Sequence, residues 1–283
     1  TFEDRWILSR LAAVREEVTC DLNEYNFNDA VTKLYRFCWN DFCDWYLELA
    51  KARFTAEGGD AKDGEIVRGT LTRVLGDLLK MLHPFIPFQT ETLWQVLHDA
   101  LGAAPERQLM TSPWPTGEGI AVDADAESRM DLLQELVRAV RNIRSVTMVG
   151  EKKRLDAIVI APKAGDRAVL EELKDAACGI GFLSSLAIEE SAARPPASAV
   201  GVAGGLEVFV PLGDDVDMGK LREALEQRLA KTQKLAEGTE RKLGNAKFVE
   251  RADPEIVEAE RARLVELGHE AELLNRNLAG LSA

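Results

Sequence analysis

The sequence has few of the residues that build metal centres and disulfide frameworks. Among its 283 residues are four cysteines and three histidines, and no two cysteines have the C-x-x-C spacing. The common zinc sites need clustered cysteines and histidines, and small disulfide-stabilised folds need more cysteines at regular spacings. We therefore expect no bound metal and reduced thiols, as in a cytoplasmic protein.

Other motifs are also absent. The chain has no run of eighteen apolar residues and no signal pattern, so we expect neither a membrane span nor secretion. It starts at Thr1 without a Met, as expected for a piece of a longer protein. No G-x-x-x-x-G-K-[ST] loop and no strand-linked G-x-G-x-x-G occur, so we expect no cofactor on this chain. Three scattered histidines do not assemble a catalytic triad, so a stand-alone enzyme is the weakest interpretation.

The charge is unevenly distributed. A formal net charge of −13 argues against a uniformly basic nucleic-acid binder. A short basic segment nevertheless has six cations and one acid, Glu151, a local net charge of +5; the cations are Arg138, Arg141, Arg144, Lys152, Lys153 and Arg154. Two interpretations stay open: cations that complement a helix C-terminal dipole, or an edge that contacts phosphates.

The densest aromatic stretch is RFCWNDFCDWYLELAKARF, Arg36–Phe54. Residues 35–46 include six of the chain's eighteen aromatic residues. On a helical wheel an apolar stripe forms that excludes Phe37 and Leu47, so we expect a helix buried on both sides in the middle of a bundle. The predicted stripe consists of Val31, Tyr35, Cys38, Phe42, Trp45, Tyr46 and Leu49. Plausible contact residues at its edges and end are Trp39, Trp45, Lys51 and Arg53.

Helical periodicity extends over the first half of the chain. Further helices are predicted for Glu3–Leu22, Glu65–Leu82, Thr90–Leu101 and Ala124–Val146, with breaks at prolines and glycines. We expect an α-rich protein whose residues 1–147 form a helical bundle.

The periodicity changes after the basic segment. LDAIVIA and LSSLAIEE read as strands on either side of a helix, Asp166–Ala177. VGVAGGLEVFVPL then reads as a hairpin that turns at Gly204-Gly205. Residues 148–214 are therefore predicted to form a small α/β module.

Two helices of nearly equal length end the chain, Asp217–Leu243 and Glu255–Leu281. At ~1.5 Å per residue each is roughly 40 Å long. Their short connection predicts an antiparallel coiled-coil hairpin over 215–283, with Asp253 and Pro254 opening the second helix. We expect the hairpin to bury its seam within itself, so that its removal leaves the rest folded. The seam is predicted from Leu221, Leu225, Leu229 and Leu235 on one helix, and from Val257, Leu264, Leu267, Ala271, Leu274, Leu278 and Leu281 on the other, broken by Glu260.

Several segments resemble the C-terminal part of bacterial valyl-tRNA synthetases. DRWILSRL, NDFCDWYLELAKARF, MLHPFIPFQTETLW and SPWP resemble the helical anticodon-binding domain of that family. VRNIRS and the module ending in VFVPL resemble the segment that follows, and GNAKFVERADPEIVEAERARL is similar to the tip of the family's C-terminal coiled coil. The resemblance covers essentially the whole chain, and the absence of C-x-x-C separates it from isoleucyl enzymes.

The resemblance implies a tRNA-binding appendage of a class I ligase. The full enzyme attaches valine to tRNA(Val) with ATP, but the HIGH and KMSKS signatures do not occur here, so this chain alone is predicted to be inactive. Trp45, Lys51 and Arg53 are the expected contacts near the anticodon, and Arg141, Arg144, Lys152 and Lys153 an RNA-facing edge. On the arm the expected contacts are Lys231, Lys234, Arg241, Lys242, Lys247, Phe248 and Arg251, with Phe248 alternatively closing the hairpin tip.

A second interpretation comes from a different functional class. The coiled coil would pair with another chain and the bundle would be a scaffold that does not bind RNA. A monomer that shifts on addition of tRNA supports the first interpretation, which we expect, and a tRNA-indifferent dimer supports the second.

Overall fold

The computed structural model describes residues 1–55, 61–102, 107–147, 149–150, 153–213 and 216–281, without the side chains of 52, 54, 55, 61, 247, 250 and 251. These residues form two compact units, Thr1–Asp131 and Leu132–Ala283. The α-rich architecture predicted from sequence is confirmed. The three-part division stays a prediction, since the α/β module and the arm fall into one unit.

The first unit is a bundle of helices. They are α1 (Phe2–Asn23), α2 (Phe27–Arg36), a π-helix (Phe37–Tyr46), α3 (Leu47–Thr55), α4 (Ala61–Leu82), α5 (Pro87–Ala100) and a 3₁₀ turn (Leu109–Thr111). Its core includes Trp6, Ile7 and Leu11 of α1, and Val74 and Leu78 of α4. A final helix, α6 (Ala124–Thr147), runs from this unit into the second.

The aromatic stretch is continuous with α2 but changes its winding. Buried positions before it follow helical spacing through Ala30, Leu34 and Phe37, and the next is Phe42, five residues later. A π-helix makes i→i+5 hydrogen bonds, so it displaces the buried face by one residue.

The predicted apolar stripe is therefore wrong at its start. Phe37, which the wheel excluded, is buried, whereas Tyr35 and Val31 are exposed. The stretch is thus buried on one face and open on the other, and the expected burial on both sides is also wrong.

The α/β module contains the four-stranded sheet of the second unit. Its elements are β1 (Leu155–Ile160), α7 (Ala164–Glu172), α8 (Lys174–Gly181), β2 (Leu183–Glu189), β3 (Ser198–Ala203) and β4 (Leu206–Pro211). The strand order is β2-β1-β4-β3, with β1 and β2 parallel and the other pairs antiparallel. The predicted single helix 166–177 is two helices that join at Leu173.

Glycines permit two close features of this module. Gly204 and Gly205 have φ of +56° and +83°, as the predicted two-residue hairpin turn requires. At Gly201 of β3 a Cβ atom would lie 2.8 Å from the carbonyl oxygen of Ala139, so glycine lets α6 pack directly on the strand.

The arm is formed by α9 (Met218–Leu243), a short α10 (Ala246–Arg251) and α11 (Pro254–Gly280). Both long helices have side-chain N-caps: the Asp217 side chain accepts from Gly219 and Lys220, and the Asp253 side chain, as predicted, accepts from Glu255. The seam of α9 differs from the prediction, because Leu235 is exposed while Thr232 and Thr239 are buried. With Leu225 these threonines keep the seven-residue repeat of a coiled coil.

The arm does not bury its seam within itself alone. At its base Leu274 of α11 packs with Leu221 and Leu225, and partly buried Val146 and Leu212 pack against this cluster. Leu273 packs against a second cluster, Ile160, Val200 and Phe209 of the sheet. The predicted self-contained seam is therefore wrong, and we now expect removal of the arm to destabilise the module.

Asn277 fixes the base of the arm to the sheet. Strand β3 is at the sheet edge, and there Asn277 Oδ1 accepts from the backbone N–H of Val200 while Nδ2 donates to the Val200 carbonyl, both at 2.8 Å. The side chain thus completes the hydrogen bonding of an edge strand that otherwise has unpaired groups.

Replacing Asn277 by alanine is expected to lower the free energy of unfolding by about 2 kcal/mol, since it leaves two buried backbone groups unpaired. Thermal or urea unfolding of the second unit measures the loss. Asn275→Ala, at an exposed position of the same helix, is the control. Equal effects of the two substitutions would contradict a role for the Val200 hydrogen bonds.

Candidate nucleic-acid interface

Trp45 and Trp39 have opposite environments. Trp45 is 9% exposed and belongs to the core of the first unit, so it offers little ring surface to an RNA base. Trp39 is 53% exposed and its ring centroid lies 6.3 Å from that of Tyr35. Of the two tryptophans considered from the sequence, Trp39 is therefore the one suited to a contact.

Exposed aromatic residues extend from Trp39 back along α2 to its N-terminus, and we call them the aromatic surface. Its members Tyr25, Phe27, Tyr35 and Trp39 are all exposed, and Tyr25 and Phe27 form an edge-to-face pair at 6.1 Å. Sequence reasoning missed this surface, because the helical wheel assigned Tyr35 to the core. The spacing of Phe27, Val31, Tyr35 and Trp39 by four residues was the available signal.

Arg53 forms ion pairs within the helical bundle. Its side chain is 11% exposed, Nη1 donates to both carboxylate oxygens of Asp4 at 2.9 Å, and Nε donates to Asp63 at 2.8 Å. The hydrogen bond to Asp63 raises the pKa of Arg53 above its ordinary value. Because the guanidinium of Arg53 is already paired with these two carboxylates, its geometry does not support the predicted RNA contact. Lys51 is exposed and pairs with Glu48 at 2.5 Å, so it keeps its place on the surface.

The basic segment divides into buried and exposed members. Arg144 is 9% exposed and donates to the carbonyls of Gly150, Lys153, Gly181 and Phe182 at 2.7–3.2 Å. Burial lowers the pKa of Arg144 from its ordinary value. The direct phosphate contact predicted for Arg144 is therefore wrong, because its Nη1 and Nη2 groups donate to backbone carbonyls. Arg141 and Lys153 are exposed, and Lys152 lies outside the described residues.

Three predicted cations of the arm face outward. Lys231, Lys234 and Arg241 are exposed. At 3.6 residues per turn they lie within about one quarter of the helix circumference, with Lys234 and Arg241 opposite the buried Thr232 and Thr239 and Lys231 at the flank. They therefore form a basic stripe about 15 Å long on α9, accessible from solvent.

The tip is arranged differently. Lys242 Nζ pairs with Glu260 at 2.6 Å and lies 4.8 Å from the ring centroid of Phe248. The hydrogen bond from Lys242 lowers the pKa of Glu260, the acid that interrupts the predicted seam. Phe248 is partly buried, which favours the alternative role of closing the tip. The side chains of Lys247 and Arg251 lie outside the described residues.

No cluster of three or more histidine, cysteine or acidic side chains able to hold a metal occurs within the described ranges. The four cysteines are free thiols, and burial raises the pKa of Cys38 to about 11. In the part of the chain that the structure covers, no helix is long and apolar enough to cross a membrane.

Comparison with known proteins identifies the family of the chain. Residues 4–159, more than half of the chain, match the family described as the anticodon-binding domain of tRNA ligase. The chain belongs to this family. Residues 217–282 match a second family, the valyl tRNA synthetase tRNA binding arm, and the two descriptions indicate tRNA as the partner. The resemblance inferred from the sequence motifs is thereby confirmed.

The tRNA-ligase family assignment extends to full-length relatives. The chain is 38% identical to the valine–tRNA ligase of Geobacter sulfurreducens over 97% of its own length and 30% of the relative's. It is 39% identical to the valine–tRNA ligase of Stenotrophomonas maltophilia, over 99% of its own length and 29% of the relative's. It is 36% identical to the valine–tRNA ligase of Gloeobacter violaceus, over 99% of its own length and 30% of the relative's. The chain thus spans about 30% of the length of the curated relatives it matches.

Proposed function

We propose that this chain is the tRNA-binding part of a valine–tRNA ligase, which recognises tRNA(Val) and acts in the cytoplasm as a monomer. In this proposal a separate catalytic part of the ligase binds ATP and attaches valine to the tRNA. The observation that carries it is the basic stripe of Lys231, Lys234 and Arg241, exposed on an arm of a chain whose net charge is −13. Such a stripe attracts a polyanion, and the acidic remainder opposes nonspecific nucleic-acid binding.

The two units have different tasks in this proposal. The aromatic surface of the first unit stacks with unpaired anticodon bases, which protein aromatic rings recognise in single-stranded RNA. The arm, roughly 40 Å long, contacts phosphates at the elbow of the folded tRNA. Lys51 on the first unit and Arg141 on the second are further cations that contact the tRNA in this proposal.

The rival interpretation, a coiled coil that pairs with another protein, has less support. The seam of α9 is already covered by α11, and Arg228 of α9 pairs with Glu270 of α11 at 2.7 Å across the hairpin. The outward side of α9 is basic and polar, whereas a coiled-coil partner requires an apolar seam.

Reversing the charges of the stripe is the direct test. In the triple variant Lys231→Glu, Lys234→Glu and Arg241→Glu we expect weaker tRNA binding and a shallower dependence of log K on log salt. Each lost phosphate contact lowers this slope by roughly 0.7–0.9, so three contacts lower it by roughly 2.1–2.7. Binding to tRNA(Val) and to a second tRNA is measured at several salt concentrations.

The matched control reverses Arg261 and Arg263, which are exposed on the acidic returning helix. We expect it to leave the slope nearly unchanged. Equal slopes for wild type and stripe variant, with both folded, would contradict phosphate binding by α9. A tRNA-indifferent dimer would favour the protein-pairing interpretation instead.

A further inference from the structure

A groove of 620 Å³ lies between the C-terminal part of α6 and the junction of α8 with β2. Its volume is within the usual range for small-ligand sites. Arg141, Arg144 and Ser145 line it from α6, and Gly181 and Phe182 line it from the junction. The second wall lies in residues 160–216, between the two matched family regions.

Phe182 occupies this wall at a conformational cost. It ends α8 with φ of +52°, in the left-handed region where glycine is usual because a Cβ atom crowds the carbonyl oxygen. Burial does not offset the strain fully, since Phe182 is 45% exposed. A strained, half-exposed aromatic residue beside a groove points to a ligand rather than to folding.

Arg144 gives the groove a positive floor. Its Nη1 and Nη2 hold the loop at Gly150 and Lys153 together with the junction at Gly181 and Phe182, so it positions both walls. Backbone carbonyls satisfy hydrogen bonds but do not cancel the charge. Within the described ranges no carboxylate forms an ion pair with Arg144, and its buried Nε has no hydrogen-bond partner.

One exposed cation, Arg141, lines the groove, and two more lie close in sequence to its lining residues. Arg141 lies one turn before Arg144 on α6, and Lys153 and Arg154 follow the loop on the other side. Arg154 is oriented by a 2.8 Å hydrogen bond to the carbonyl of Leu183, next to Phe182. The groove therefore combines an aromatic face with positive charge, the two features that bind a base and its phosphate.

We propose that this groove binds one nucleotide of an RNA strand, with its base stacked on Phe182 and its phosphodiester against Arg141. The inference rests on the proposed function and extends the tRNA contact to the α/β module. Arg144 is a positioning residue that also supplies positive potential. Because stacking is available to every base, the site contributes affinity rather than sequence discrimination.

The left-handed conformation provides a sharp test. Phe182→Gly removes the ring and also relieves the backbone, so we expect an unchanged or higher melting temperature together with a Kd for tRNA(Val) raised at least about fivefold. Ala197→Gly is the matched control, since Ala197 has φ of +49° in the same module and no ring to lose. It should give a similar stability gain and unchanged tRNA affinity.

Two further comparisons separate stacking from packing. Phe182→Trp should retain affinity and Phe182→Leu should not, because leucine fills space but presents no aromatic face. Arg141→Gln should lower the log-log salt slope by roughly 0.7–0.9, and Arg138→Gln on the same helix should not.

The outcomes also separate this inference from the proposed function. If the wild-type chain binds no tRNA, the proposed function fails and the groove proposal fails with it. If the wild type binds and Phe182→Gly binds equally well, only the groove proposal is overturned. Full affinity in Phe182→Leu overturns it too, since the ring would then serve packing alone.

Discussion

Replacing Arg53 by methionine is expected to lower the free energy of unfolding by about 3 kcal/mol. Methionine keeps much of the side-chain volume but removes the guanidinium from Asp4, whose side chain is almost fully buried and which then keeps only the Thr1 ammonium group as a cationic partner. Removal of one member of a buried ion pair is costly because the remaining charge has lost its solvation and its partner. Urea unfolding of the first unit measures the change.

Lys51→Met on the same helix is the matched control. Lys51 is exposed and forms a surface pair with Glu48, so we expect a loss below about 1 kcal/mol. Its effect should appear in tRNA affinity instead. If Arg53→Met were fully stable and bound tRNA weakly, the sequence-based contact role of Arg53 would be right and its structural role wrong.

The difference between wild type and Arg53→Met should depend on pH. Burial alone would raise the pKa of Asp4, but hydrogen bonds from Thr1, Tyr46 and Arg53 outweigh it and lower the pKa below 3.8. A carboxyl whose pKa is lower in the folded state stabilises the fold above its unfolded pKa. The stabilisation is lost as the pH falls through the folded value. We therefore expect the two proteins to converge in stability below about pH 3.8.

The sequence was sufficient for features set by local chemistry. Helix ends at Asp217 and Asp253 and the turn at Gly204-Gly205 depend on capping and on positive φ, which neighbouring residues encode. The family resemblance followed from contiguous motifs, so it too could be found without coordinates.

Features set by distant partners could not be found in this way. From the sequence, Arg53 and Arg144 look like surface cations. In the structure Arg53 donates hydrogen bonds to Asp4, and Arg144 donates to the backbone carbonyl of Phe182. Asn277 looks like a polar interruption of the seam until its bonds to Val200 are known. The π-helix shifted the buried face by one residue, a change that a wheel drawn at 3.6 residues per turn cannot represent.

Shortening the arm is expected to weaken tRNA binding at least tenfold, about 1.4 kcal/mol. The variant replaces residues 235–264 by a short glycine-containing turn. It joins α9 to α11 beyond Thr232 and Leu267, which are both buried in the seam. Arg241, Lys242 and the tip are lost, whereas the base clusters around Leu274 and the Asn277 hydrogen bonds are kept. The measurement is the Kd for tRNA(Val), together with the melting temperature.

Complete removal of 217–283 is the informative contrast, because it uncovers strand β3 and the cluster at Leu212 and should destabilise the α/β module. Loss of binding in that truncation would not separate folding from recognition, whereas the shortened arm does. In a full-length ligase the shortened arm should raise the KM for tRNA and leave valine-dependent pyrophosphate exchange unchanged. Unaltered tRNA kinetics in a folded shortened variant would rule out the elbow contact, and a simultaneous loss of self-association would identify the arm as a protein-pairing element.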